Sequence, residues 1–195
     1  DVDISGDTGA NTATAAMLIV NESGGSNVQV GLRRNGSTDN RTLPSNYWTF
    51  AGAIVCVDGS EIFEGNIGAV SLDFYLVGYM TANVTAVTNG VDVSTGTTGS
   101  YVDTDLSGTI GATGTGALLE LMVVLGASDD FAWRANGSAY DKYYARDTHI
   151  YGWSAVSAAR HIDQKIESTN DDVYLVGWTE SVAAAATFKP IIGMW

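Results

Sequence analysis

The chain has 195 residues, 45% of them hydrophobic and 16% charged, and its 9 Lys and Arg against 22 Asp and Glu give a formal charge of -13. That apolar fraction suits a folded core and excludes disorder throughout the chain, while the charge argues against nucleic acid or an anionic membrane as partner, since both are polyanions. No apolar run reaches the ~20 residues that span a bilayer, and the start at Asp1 reads as a processed or trimmed chain.

In chain order, the opening Asp1-Val2-Asp3-Ile4-Ser5-Gly6 returns as Asp103-Thr104-Asp105-Leu106-Ser107-Gly108. The apolar stretches Ala13 to Val20 and Ala117 to Val124 could start helices, but both are read as strands, because a Gly-containing turn and a further strand follow each. Val28, Val30 and Leu32 alternate with Asn27, Gln29, Gly31 and Arg33, a strand with one dry face, and Phe131 and Trp133 take the same inward places later on. Asn35-Gly36-Ser37 and Asn136-Gly137-Ser138 are turns, since Asn and Gly tolerate positive φ. Ala53 to Val57, Asp58-Gly59 and Glu61 to Ile67 read as a hairpin. The closing segments Phe74 to Tyr79 and Val173 to Trp178 are apolar on both faces. They are expected as central strands, with the Gly before each last aromatic permitting a bulge.

The matches keep their order while the offset drifts only from 102 (103 - 1) to 99 (172 - 73). An internal duplication follows as the expectation. The fold class is all-β: two tandem antiparallel β-sandwich, jelly-roll-like domains, at 1–80 and 101–180. Residues 81–100 are a connecting strand and a Gly/Thr-rich linker, flexible over 94–100. Residues 181–195 form an apolar tail, with the best helix propensity at Ser181 to Ala186.

Chemistry is sparse. Cys56 is the lone cysteine, set in an apolar run, and reads as a buried small hydrophobe, not as a thiol paired with His149 or His161. Gly-rich phosphate loops, nucleophile elbows and His-Glu-x-x-His pairs are missing from the sequence. The doublets Asp129-Asp130 and Asp171-Asp172, and the alternating Asp1/Asp3 and Asp103/Asp105, have oxygen ligands suited to calcium, but read better as solvated turn and edge residues. Sequons begin at Asn21, Asn35, Asn40, Asn83 and Asn136, and matter only in a glycosylating compartment. No cofactor and no metal is expected. Trp48, Trp133, Trp153 and Trp178 lie beside or within strands and read first as core; exposed aromatics of this kind also stack on sugar rings.

With its Asn-Gly-Ser turns and its Tyr-Leu-Val-Gly-Tyr and Tyr-Leu-Val-Gly-Trp closing strands, the chain resembles the Gly/Thr-rich β-sandwich repeats of tailed-phage virion surfaces, such as tail, fibre and capsid-decoration proteins. The resemblance covers both units and not the tail. It implies a structural protein without catalytic residues, at a virion surface or in an extracellular filament. The short first strand and the apolar tail point the same way. Unpaired edges recruit strands, and Phe188, Ile191, Ile192, Met194 and Trp195 are the candidate subunit contacts of a homo-oligomer, or of contacts with other virion or filament subunits. The alternative reading is a carbohydrate-binding or adhesin module, which requires a solvent-facing pair of aromatics.

Overall fold

Among the described residues strands dominate, with one short helix, and much of their pairing pattern occurs twice. A computed structural model describes residues 1–22, 28–45, 51–68, 72–122, 131–141, 149–181 and 188–190. In the first half, β1 (Val2–Asp3), the one-turn helix α1 (Ser5–Thr8), β2 (Ala15–Glu22), β3 (Val28–Arg34), β4 (Leu43–Ser45), β5 (Ala51–Cys56), β6 (Ile62–Ile67) and β7 (Leu72–Met80) follow one another. After β8 (Val84–Asp92) come β9 (Val102–Asp105), β10 (Gly114–Met122), β11 (Ala132–Ala135), β12 (His149–Ala155), β13 (His161–Lys165) and β14 (Asp172–Glu180), then β15 (Phe188–Pro190). Among the described residues four sheets result, ordered β1-β6-β3-β4, β15-β7-β2-β5, β11-β13-β9 and β12-β10-β14-β8, and the pairs of named strands are antiparallel.

Alternation explains where the cores lie. Ala16, Leu18 and Val20 of β2 point one way and meet Leu32 of β3 and Phe63 of β6, all buried. Ala117, Leu119 and Leu121 of β10 meet Phe131, Trp133 and Ile162 in the same manner. Several registers agree between the halves. Arg33 stands opposite Glu64 as Arg134 stands opposite Asp163. In β7 one residue, Val77, is extra between Leu76 and Gly78; in β14 it is Val176, between Leu175 and Gly177. These are the bulges expected at the two glycines. Gly36 and Gly137 adopt φ of 80° and 77°, and each is followed by a Ser N–H donating back to the residue three before it.

One local expectation fails. Residues 53–67 do not form a hairpin, because β5 pairs with β2 while β6 pairs with β1 and β3. The chain turns a corner between sheets instead. The Asp58 carboxylate accepts the N–H groups of Ser60 and Ile62, and Glu61 takes a positive φ of 63°. Arg160 repeats that φ at 66°.

The two halves exchange strands. β8 follows the first half, yet pairs with β14 of the second. β15 follows the second half, and pairs with β7 of the first. Residues 94–100 are fastened to the second half, since Ser94 Oγ accepts the Val173 N–H and Gly99 N–H donates to the Ile166 carbonyl.

Candidate functional site

The richest chemistry lies where the halves meet. Glu120 sits near the C-terminal end of β10, opposite Tyr151 on one side and Tyr174 on the other. Its side chain is buried, and both oxygens are engaged. Oε2 accepts from Arg41 Nε at 2.8 Å, and Oε1 lies 2.6 Å from His149 Nε2 and 3.1 Å from the Tyr151 hydroxyl. Arg41 also reaches Asp39 at 2.8 Å and stacks over the Tyr174 ring at 4.1 Å. The other His149 nitrogen, Nδ1, is 3.2 Å from the Val30 carbonyl of the first half. Both ring nitrogens therefore face oxygen atoms, one from each half. Tyr151 bridges the same seam: its hydroxyl accepts the Leu32 N–H at 3.0 Å and shares its proton between the Leu32 carbonyl and Glu120.

Burial alone pushes the Glu120 carboxyl up, but the hydrogen bonds and charges of His149 and Arg41 outweigh it, and the net direction is down. Burial, aided by Glu120, pushes the Tyr151 hydroxyl well above its ordinary value. β8 adds a second tie. Residues 87–90 leave the ladder opposite Val176, and there Asn89 Oδ1 accepts from Ser37 and Thr38 while Gly90 N–H donates to Asp39 Oδ2 at 2.6 Å.

Cys56 closes the seam on its far side, its thiol 3.6 Å from the Val176 carbonyl. Burial pushes this thiol up to about 12. Cys56 is therefore expected to resist iodoacetamide at pH 8 in the native protein and to react fully in denaturant, because the thiolate is the nucleophile. Intact mass spectrometry reads the difference. Rapid labelling without denaturant would mean that the seam opens readily.

Two clefts occupy matching places. In the first half, Leu32, Ile54 and Cys56 line one that Tyr151, Val176 and Val87 fill, leaving about 20 Å³. In the second half, Trp133, Trp153 and Ala155 hold the same register positions, and a cleft of about 290 Å³ stays open. Trp153 and Tyr140 on its walls are 47% and 65% exposed. Tyr101 joins them under the Arg134 guanidinium, 3.6 Å from the ring centroid. A third, charged cleft of about 390 Å³ opens beside the seam, and its wall includes Arg33, Glu64, Arg41, Asp39 and Glu120. These ions face one another, in the pair Arg33–Glu64 and the trio Asp39–Arg41–Glu120.

The sequence-level candidates fall as follows. Phe188 lies in β15, its backbone opposite Met80 of β7. Ile191, Ile192, Met194 and Trp195 lie outside the described residues, as do Trp48, Asp129, Asp130 and most of 181–186. Asp103 and Asp105 do project to one side, toward His161, at 2.7 and 3.5 Å. Asp171 is buried and accepts the Ser168 N–H. Among the described residues no group of three or more His, Cys, Asp or Glu is placed to hold a metal ion, and no helix is long and apolar enough to cross a membrane.

Sequence reasoning missed Arg41, Glu120, His149 and Tyr151. The available signal was a break in the repeat: Glu120 stands where the first half has Ile19, and Tyr151 where it has Gly52. Comparison with protein-family models, with curated proteins and with solved structures gave no match.

Proposed function

We propose that the chain is a non-catalytic structural protein that builds a larger assembly, as a subunit of a virion surface or an extracellular filament. In this reading it arose by tandem duplication of one β-sandwich unit. The observation that carries it is the strand exchange: in each half one sheet is completed by a strand that follows the other half in the chain or closes it, β8 on β14 and β15 on β7. Strand addition is a general mode of protein association. A C-terminal strand that completes β7 within one chain is equally able to complete β7 of a neighbour. The recurrence of registers, bulges and positive-φ corners supports duplication. The charged cleft favours architecture over turnover, since Glu120 has both oxygens committed to partners.

Removing residues 188–195 tests the role of the tail. The truncated chain is expected to lose mass in light scattering and to lose ordered particles in electron micrographs, relative to the full chain. Identical mass and identical particles would overturn it.

A glycan-binding module is the second reading. It is favoured by one observation, the exposed pair Trp153 and Tyr140 on a single cleft.

A further inference from the structure

We infer that the open cleft of the second half receives the outer face of β7 and β2 from a second copy of this chain, head to tail. The inference rests on the duplication and assembly reading and names the contact through which assembly proceeds.

Inside one chain the same kind of contact already exists. The cleft of the first half is filled by the outer face of the β12-β10-β14 sheet. Leu118 on that face is wholly buried, and Tyr174 and Val176 are partly covered. In the first half, the face at the same register is partly exposed. Tyr75 and Val77 stand where Tyr174 and Val176 do, and are 43% and 37% exposed. Met17 and Ile19 lie beside them, half-buried. Among the described residues, one cleft and one face are thus joined, and one cleft and one face are left over. Each leftover surface is the counterpart of a member of the joined pair.

Their side chains have changed in a matched way. Within the chain, the face presents Tyr151 and the cleft presents the smaller Ile54. On the leftover surfaces the bulk is exchanged: Gly52 on the face, Trp153 in the cleft. Polarity is exchanged too. The filled cleft brings Asp39 and Arg41 to meet Glu120. The open cleft has Tyr140 in the place of Asp39, each the carbonyl acceptor of the preceding arginine's Nη1, and the partly exposed face has Ile19 in the place of Glu120. Ions face ions in one contact, and apolar groups face apolar groups in the other. β15 sits at the edge of β7, beside this face and not over it.

Such a contact uses different surfaces on the two copies, so it repeats into a ring or a filament. The charge of -13 opposes it at low salt, and screening favours it.

The test uses the full chain at about 0.5 M salt, where like charge is screened over a few Å. Three proteins are compared by size-exclusion chromatography with light scattering over a concentration series. They are the natural chain, a cleft variant with Trp153→Ala and Tyr140→Ala, and a face variant with Tyr75→Asp and Val77→Asp. The natural chain is expected to grow in mass with concentration. Each variant needs at least about tenfold more protein to associate, as loss of a central aromatic anchor implies. Mixed one to one, the variants form a dimer and nothing larger, because one intact cleft meets one intact face. Should Trp153→Ala lose its thermal transition, Tyr140→Lys replaces it as the cleft variant. If all three proteins associate alike, this contact is wrong while the assembly reading survives. If the natural chain stays monomeric at millimolar concentration, both are wrong. A glycan-array signal that disappears in the cleft variant, with a monomeric natural chain, would make the cleft a sugar site and overturn the inference.

Discussion

Glu120→Ala is expected to lower the melting temperature by on the order of 10 °C. The substitution leaves Arg41 and His149 without their shared anion in a buried seam. Removing one partner of a buried ion pair costs roughly 3–5 kcal/mol, and for a chain of this length each kcal/mol moves the midpoint by about 2–4 °C. Calorimetry measures it directly. Glu120→Leu combined with Arg41→Leu is expected to cost less than the sum of the two single changes, because the pair is removed together. A shift below about 2 °C for Glu120→Ala would show that the network contributes nothing to the seam. The same substitution is expected to speed the labelling of Cys56, which lies on the far side of the junction.

The pH dependence of the natural chain follows from the same carboxylate. His149 and Arg41 hold Glu120 below its ordinary value of 4.5 against the opposing effect of burial. Its contribution to stability is therefore fully present above 4.5, and is lost as pH falls from there through the lower folded value. Glu120→Gln is expected to flatten that acid limb in a melting-temperature profile between pH 6 and 3. An unchanged slope would assign the limb to other carboxylates. At the alkaline end, burial raises Tyr151, so its contribution is whole below 10 and fades as pH rises above it.

Strand positions are legible where the sequence alternates or where a short apolar run is bounded by turn residues. Period-two alternation marks β3 and β13, and the closing strands betray their central place by being apolar on both faces. β10 was harder. Residues 116–121 are buried on both faces, since the first half covers the outer one, and apolar residues on both faces hide its period. The corner at Asp58 to Glu61 has the residues of a hairpin turn, and local chemistry does not reveal which partner each flanking strand will choose. Strand exchange is a long-range decision of the same kind: nothing within 84–92 says that its ladder lies on β14 and not on β7. The seam left a mark that repeat comparison exposes, namely a glutamate amid leucines where the other half has Ile19.

Gly31→Ala is expected to cost about 3 kcal/mol, within the range for overpacking together with a broken buried pair. A Cβ at Gly31 would stand 2.2 Å from the Arg41 carbonyl oxygen and 3.0 Å from the Thr42 methyl. The nearer obstacle is backbone, so the 39–42 segment must move as a unit. The strand itself does not demand glycine: Ala132 holds the same place in β11, opposite Lys165 as Gly31 is opposite Asn66. What requires the missing methyl is the strap that carries Arg41 across β3 to Glu120. Displacing it withdraws Arg41 from Glu120 and Asp39 from Gly90 N–H. Two controls separate this account from simple strand propensity. Ala132→Gly is expected to cost about 1 kcal/mol or less, the ordinary price of glycine in a strand. In an Arg41→Met background, Gly31→Ala is expected to cost less than in the natural chain, because the ion pair it disrupts is already gone. Equal costs in the two backgrounds would mean that the strap and the seam are independent. The docking of one half on the other would then rest on Tyr151 and on the segment of β8 opposite Val176.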